Sequence, residues 1–250
     1  MTNHDTGVSI DETSTADGAA LAARSRLEEL FGGSPLPRAE LLFNLGMYVR
    51  SSLLVKFLVM NDLYLRIRSI PGALLEFGVW YGQNLVLLEN LRAIHEPFNK
   101  QRPIVGFDTF RGYGGDDGAA FYNTGAAYKD YLAELLCSHA GANAFGHVPG
   151  DHRLIEGDVT VTAPQYFSDN PATLVALAYF DMGSYEPTRA ALDAILPHLV
   201  PGSVLLFDEL TWPGAPGEAI AFKEVFRGLD YAIEKCALYP SKSIVTIQRV

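Results

Sequence analysis

Acidic residues end five short apolar segments of this sequence, where parallel strands would bring their side chains to one edge of a sheet. In alternating strand–helix proteins, ligands bind at the carboxyl ends of the strands. Surface turns favour Asp, so two or three such endings can arise by chance. Five on one rim would repel each other, so we expect a cation or a hydroxyl-rich ligand there. The acidic endings are Glu76, Asp108, Asp158, Asp181 and the pair Asp208–Glu209.

The first of these segments runs into the loop EFGVWYGQN, which has the pattern Glu-x-Gly-x-x-x-Gly. Gly78 and Gly82 allow a tight turn and a close approach of the backbone to a ligand, before a helix whose N-terminus favours an anion. A nicotinamide-binding loop would instead show Gly-x-Gly-x-x-Gly, which this loop lacks. The alternative is an ordinary strand–turn–helix connection without a ligand.

Two further carboxylates fit a nucleoside. Asp108 ends the second apolar segment, where a carboxylate can accept two hydrogen bonds from a ribose diol. Asp158 lies in the segment EGDV, where it could meet an adenine amino group. For Asp108 the alternative is a helix cap or turn residue, and for Asp158 it is chance.

Short apolar runs alternate with helical patterns from residue 73 onward. Strands are expected at 73–78, 103–108, 153–158, 174–181 and 203–209, and two more near 230–238 and 243–249. This alternation predicts a doubly wound, mostly parallel, seven-stranded Rossmann-like α/β sheet. Before it, apolar residues at helical spacing predict a short helix at 21–32 and one long helix at 40–69.

Composition narrows the class of protein. The 250-residue chain is 48% hydrophobic, so it can bury a core. Its formal net charge of −10 gives no electrostatic attraction to the phosphate backbone of a nucleic acid. Nucleic acid and membranes are therefore not expected as partners. The N-terminus lacks the features of a signal peptide and no apolar run is long enough to span a membrane, which predicts a cytoplasmic location. Residues 1–20 resemble a disordered tail.

The ordered set of motifs EFGVWYGQN, VGFDTFRGY, EGDV and AYFDMGSYEPTRAALDAILPHLVPGSVLLFDE resembles class I S-adenosylmethionine-dependent methyltransferases. More narrowly, residues 72–250 are similar to the macrocin/sugar O-methyltransferase family of antibiotic biosynthesis, and the helices before them to that family's N-terminal cap, placed at 21–71. The resemblance implies roles for seven residues in binding S-adenosylmethionine. Gly78 and Gly82 would border its methionine with Glu76 beneath, Asn84 would lie near the carboxylate, Asp108 would hold the ribose, Asp158 would meet the adenine, and Phe110 would cover the ring or pack in the core.

The same family implies a divalent metal, often Mg²⁺, at positions that correspond to Asp181, Asp208 and Glu209. Chemistry gives an independent reason, since a hard cation with oxygen ligands lowers the pKa of a sugar hydroxyl and orients it. Two positions depart from the family pattern: Gly183 where an Asp is common, and Glu209 where many relatives have Asp. The alternative is that these carboxylates only orient the substrate.

The sequence thus predicts an O-methyltransferase for a hydroxyl of a sugar-bearing or polyketide-like natural product, with Asp181 as the candidate catalytic base. Bound to metal, Asp181 would be a poor base, so those two roles compete. A metal-independent O- or N-methyltransferase, a nicotinamide-dependent oxidoreductase and a non-catalytic cofactor-binding module remain alternatives. The partner is a small-molecule acceptor, and the apolar cap favours a homo-oligomer, most simply a dimer.

Overall fold

The structure, a computed structural model, describes residues 17–99, 101–114, 120–121, 127–143 and 150–249. Most of the predicted disordered tail lies outside these ranges. Its last residues are helical, because the first helix begins at Gly18, where the Asp17 side chain accepts a hydrogen bond from the Ala20 N–H at 2.8 Å. An Asp at this position satisfies one of the free N–H groups of a helix start.

Eight α-helices and nine strands make up the described chain. The helices are α1 Gly18–Gly32, α2 Arg38–Phe43, α3 Ser51–Ile67, α4 Gln83–His95, α5 Tyr128–Ala142, α6 Val159–Asp169, α7 Tyr185–Ile195 and α8 Gly217–Val225, with 3₁₀ turns at Leu45–Tyr48 and Leu196–His198. The strands are β1 Ala73–Phe77, β2 Ile104–Asp108, β3 Tyr113–Gly114, β4 Ala120–Phe121, β5 His152–Glu156, β6 Val175–Phe180, β7 Leu199–Phe207, β8 Asp230–Lys235 and β9 Ser243–Arg249.

Seven of the strands form one sheet in the order β5-β2-β1-β6-β7-β9-β8. The first five are parallel, and β9 runs antiparallel to both β7 and β8. This confirms the predicted doubly wound, mostly parallel fold. The remaining two strands, β3 and β4, form a separate antiparallel pair that the sequence pattern did not indicate.

A row of stacked phenylalanines lies directly beneath the carboxyl ends of the central strands. The centroid distances are 4.8 Å for Phe107–Phe77, 5.0 Å for Phe77–Phe180 and 4.8 Å for Phe180–Phe207. All four rings are buried in the core cluster, which also contains residues of α6, α7 and α8. Stacked aromatic pairs add about 0.5–1.5 kcal/mol each beyond burial, so this row fixes the heights of the strand ends that carry the candidate site.

Two predicted helices differ from the structure. The helix expected at 40–69 is interrupted after Phe43, where Asn44 caps α2: its backbone N–H and its side-chain amide both donate to the Glu40 carbonyl, at 3.0 and 2.8 Å, and a 3₁₀ turn follows. The sequence did not indicate α6, since β-branched residues and Pro164 disfavour a helix there. Burial of Val159, Ala163, Tyr166 and Phe167 on one face outweighs that propensity.

The chain divides into two compact units, one that ends at Val55 and one that begins at Lys56. This division falls inside α3, whereas the predicted boundary between cap and domain lies after residue 71. Within the first unit, α1, α2 and the following 3₁₀ turn have no buried residue among those described. No helix in the described ranges is long and apolar enough to cross a membrane.

Candidate active site

The loop after β1 approaches the end of β6 so closely that only glycine fits. Gly78 has φ of 89°, and a Cβ there would lie 2.1 Å from the Asp181 carbonyl oxygen. Parallel pairing holds this arrangement, because the Gly78 N–H donates to Phe107 O at 3.0 Å and the Asp181 N–H donates to Phe77 O at 2.9 Å. The predicted glycine loop and the predicted carboxylate Asp181 are therefore adjacent.

Asp108 holds two loops together. Its Oδ2 accepts the N–H groups of Val79 and Trp80 at 2.8 and 3.0 Å, and its Oδ1 accepts the N–H of Phe110 at 2.7 Å. Trp80 and Phe110 both have positive φ, 50° and 52°, a strained conformation that the carboxylate stabilises. A carboxylate has about four acceptor positions, so Asp108 retains capacity for a ribose hydroxyl.

Glu76 lies beneath the glycine loop with an exposed fraction of 1%. Its Oε1 accepts a hydrogen bond from the Asn84 side-chain amide at 2.6 Å, in the first turn of α4. Glu76 Oε2 and Asn84 Oδ1 are buried without a hydrogen-bond partner among the described residues. Burial raises the pKa of Glu76 to about 8, with Asn84 and Lys56 acting in the opposite direction. The Glu76 carboxyl group and Asn84 Oδ1 can therefore each accept a hydrogen bond from a ligand that binds here.

The three other predicted cofactor residues have local roles in the structure. Gly82 precedes α4 with φ of 73° and packs against Leu132, so a Cβ there would lie 2.5 Å from that side chain. Phe110 is buried, in keeping with the packing alternative. Asp158 is exposed and caps α6, where its Oδ1 accepts the Thr160 N–H at 2.9 Å. For all three, contact with the cofactor stays a prediction.

The carboxylates of Asp181, Asp208 and Glu209 meet at the ends of β6 and β7. Each offers an oxygen, and these oxygens all lie within 4.8 Å of one another. Glu209 Oε2 is buried without a hydrogen-bond partner among the residues described. A Cβ on Gly183 would lie 3.6 Å from that oxygen, so Gly183, where the family resemblance led us to expect an Asp, borders the same cluster. We call Asp181, Asp208 and Glu209 the rim carboxylates.

Two residues that sequence reasoning missed complete the site. Lys242 is ion-paired with Asp208, donates to Tyr179 Oη at 2.9 Å and lies over the Tyr179 and Tyr239 rings. Glu218, in the first turn of α8, is fully buried and accepts the Glu209 N–H at 3.0 Å. The only sequence signal for Lys242 was its place before the last apolar strand. That place indicates a contact with Asp208 only when the strand is known to run antiparallel to β7.

Comparison with known proteins decides the family. The profile of a family described as a methyltransferase domain matches residues 75–210, more than half of the chain. The chain belongs to this methyltransferase family. The matched range begins in β1 and includes the glycine loop, Asp108 and all three rim carboxylates. It confirms the predicted class I S-adenosylmethionine-dependent methyltransferase and overrides the oxidoreductase and non-catalytic alternatives.

Solved structures support the same assignment. A structure described as CalS11, a calicheamicin methyltransferase, is 36% identical, with 96% of this chain and 97% of that chain covered and a TM-score of 0.85. An apo structure of CalS11, described as a TDP-rhamnose 3'-O-methyltransferase of calicheamicin biosynthesis, is 38% identical over 96% and 99% of the two chains, with a TM-score of 0.83. The O-methyltransferase NovP is 17% identical over 78% and 80%, with a TM-score of 0.55, a likeness of fold alone. No curated protein matches the sequence significantly.

Electrostatics in the methyltransferase site favour a bound proton or cation. Burial raises the pKa of Glu209 to about 8 and that of Glu218 to about 7, and neighbouring carboxylates add to the shift at Glu209. Asp181 is the most exposed of the rim carboxylates, yet desolvation raises its pKa, against the opposing effect of Lys242 and Lys56. Full ionisation of so many carboxylates is unfavourable without a positive partner.

Proposed function

We propose that this methyltransferase transfers the methyl group of S-adenosylmethionine to a sugar hydroxyl, carried by a nucleotide-linked sugar or a glycosylated natural product. The observation that carries the proposal is the position of the rim carboxylates, which lie beside the Gly78 loop at the ends of β6 and β7. Hydroxyl-rich ligands suit such a set of acceptors. The similarity to CalS11, described as acting on TDP-rhamnose, supports a sugar as the acceptor.

The methyl donor would lie across the loops after β1, β2 and β5. Asp108 would accept the ribose hydroxyls, and Asp158 would meet the adenine beside the start of α6. The methionine end would lie between the Gly78–Gly82 loop and Glu76, near Asn84. The unpartnered Glu76 Oε2 and Asn84 Oδ1 support this placement, because the α-ammonium group of methionine can donate to either oxygen.

The rim carboxylates fit a hard divalent cation such as Mg²⁺. Their donors are all oxygen, one oxygen from each residue lies within 4.8 Å of the others, and Glu209 Oε2 is buried without a partner among the described residues. Asp181, Asp208 and Glu209 would hold the ion. A bound Mg²⁺ would lower the pKa of the acceptor hydroxyl and fix its oxygen in line with the methyl group.

The residues of this chain would divide the work between orientation and proton transfer. The rim carboxylates would accept hydrogen bonds from the sugar and so orient the reacting oxygen, while the glycine loop would bind the methionine end of the donor. In a metal-independent reaction Asp181 would take the hydroxyl proton, and its raised pKa favours proton uptake. Sulfur loses its positive charge as the methyl group leaves, so the departing cofactor requires no acid.

Incubation with S-adenosylmethionine and a panel of sugar nucleotides and glycosylated scaffolds tests the activity, with mass spectrometry to detect the added methyl group. TDP-rhamnose is the first candidate. Methylation of only non-sugar acceptors would contradict the proposed substrate class.

The metal is tested separately by chelation followed by elemental analysis. Loss of turnover that returns with Mg²⁺ or Mn²⁺ supports the rim carboxylates as ligands. Full activity of metal-free enzyme leaves Asp181 as the base, and unchanged activity of both Asp181→Ala and Asp208→Ala would place the acceptor elsewhere.

We also propose that a second copy of the chain covers the apolar helices of the first unit. Leu42, Phe43 and Met47 expose 72, 89 and 66% of their surface. Large apolar side chains exposed together in this way are typical of an interaction surface. A symmetric dimer is the commonest way to cover such a surface. Analytical ultracentrifugation at micromolar concentration should show a dimer or a higher homo-oligomer, and a monomer alone would contradict this expectation.

A further inference from the structure

Lys56 has a positively charged side chain at the candidate site but no role in the function proposed above. It lies near the beginning of α3 and is half-buried. No hydrogen bond or ion pair joins it to another residue in the described part of the chain. Lysines that lose part of their hydration usually gain a negative partner, so its position calls for a ligand.

The surroundings of Lys56 place it at the methionine end of the cofactor site. It lines a recess together with Asn84, Tyr179, Tyr239 and Lys242. Asn84 is hydrogen-bonded to Glu76 beneath the glycine loop, and Tyr179 is the neighbour of Glu76 across the β1–β6 pair. The recess is therefore continuous with the residues that border the methionine in the proposed function.

Two lysines border this recess. Lys56 and Lys242 both line it, so their ammonium groups lie on the same side of the sheet as Asn84 and Tyr239. The charge of Lys56 also opposes the raised pKa of the buried Glu76. Lys242 already has Asp208 as its partner, whereas Lys56 has no direct one among the described residues. An anion that enters the recess would be attracted by both.

The methyl donor brings such an anion. Its methionine end is a zwitterion, with an α-ammonium and an α-carboxylate on the same carbon. The unpartnered oxygens of Glu76 and Asn84 match the ammonium group. We propose that Lys56 binds the α-carboxylate of S-adenosylmethionine and so selects donors that carry an intact methionine end. This inference rests on the cofactor placement in the proposed function and adds the residue that recognises the acidic group.

Calorimetry with two ligands isolates this contact. Lys56→Met should weaken S-adenosylmethionine binding about 10- to 100-fold, the usual scale for a hydrogen bond to a charged group. Decarboxylated S-adenosylmethionine keeps the sulfonium and the ammonium but lacks the carboxylate, so the variant should bind it as well as the wild-type protein does. Lys56→Arg, which preserves the charge, should recover most of the affinity for the intact donor. Lys235→Met, on exposed strand β8, is the control and should change neither affinity.

The other outcomes overturn the inference. Equal weakening of both ligands by Lys56→Met would mean that Lys56 acts through folding or through its general field. Unchanged affinity for both would remove Lys56 from the cofactor site, and an effect confined to the KM of a sugar nucleotide would assign it to the acceptor phosphates. If the wild-type protein binds neither ligand nor 5'-methylthioadenosine, which lacks the whole methionine end, the cofactor placement itself is wrong.

Discussion

The ammonium group of Lys242 is paired with the carboxylate of Asp208, although 34 positions separate the two residues along the chain. The pairing follows from strand direction. β9 runs antiparallel to β7 with Ser243 opposite Phe207, so the residue before β9 lies beside the residue after β7. Lys242 is nearly buried, and its hydrogen bond to Tyr179 leaves it little freedom. The orientation of Asp208 is thus set by a residue outside the rim carboxylates.

Replacement of Lys242 should therefore reduce turnover through Asp208. Lys242→Met is expected to lower kcat about 10- to 100-fold, the usual effect of removing a partner that orients a ligating carboxylate. In an Asp208→Asn background the same replacement should have little further effect, because the interaction is already lost. Steady-state kinetics of the two single variants and the double variant measure this. Additive losses would show that Lys242 acts on the reaction independently of Asp208.

Replacement of Gly78 should be costly because a Cβ there has no room. Gly228, which has a similar backbone conformation but open space, is the control. Both residues have positive φ, 89° and 86°, but a Cβ has no neighbour within 4 Å at Gly228, whereas at Gly78 it meets the Asp181 carbonyl. Gly228→Ala is expected to cost about 1 kcal/mol of unfolding free energy, and Gly78→Ala about 1–3 kcal/mol more. Urea denaturation compares them, and equal costs would contradict the close approach of the β1 and β6 ends.

Asp108→Ala should weaken binding of S-adenosylmethionine by about 1.5–3 kcal/mol, the scale of hydrogen bonds to a charged group. The replacement removes the predicted ribose acceptor and also the anchor of the Val79, Trp80 and Phe110 N–H groups. Calorimetry measures the affinity. The thermal midpoint without ligand measures how far loss of the loop anchor destabilises the protein, so the two effects can be distinguished. Unchanged affinity would exclude Asp108 from the cofactor site.

Glu76 should make the ligand-free protein less stable as the pH rises. Its pKa is raised from 4.5 to about 8 in the folded state, chiefly by burial. The folded state thus holds a proton that the unfolded chain releases, and this contribution to stability is lost as the pH rises from 4.5 through 8. Glu76→Gln lacks the titration, so its unfolding free energy relative to wild type should increase over that interval. Parallel pH profiles in urea denaturation would contradict the buried, protonated state of Glu76.

The sequence by itself determined the sheet and most of the residues on its rim. Alternating apolar strands and helical segments allow one solution, a parallel sheet, and all its parallel strands end at the same edge. For this reason Gly78, Asp108, Asp181 and Asp208 could be placed together before any coordinates. Their assignment to a methyltransferase came from the order of the motifs, which the family comparison confirmed.

Local patterns were less reliable where packing or a side-chain bond competed with propensity. The apolar repeat at 40–69 predicted one helix, but α2 ends at Phe43 with Asn44 as its cap, and α3 begins only at Ser51. Residues 159–169 have poor helix propensity, yet α6 forms because its apolar face is buried against the sheet. Whether a segment obeys its propensity depends on what covers it, which the segment alone does not specify.

Only the tertiary structure decided which charges meet at the rim. Lys242 reaches Asp208 because the last strand reverses direction, Glu218 reaches Glu209 because α8 begins beneath the end of β7, and Lys56 enters the recess because α3 packs over Tyr179. None of these pairs has a spacing that marks it in the sequence, since contacts between distant segments depend on register and packing. The sequence determined which side chains have reactive or charged groups. The packing of distant segments determined which of those groups lie close to one another.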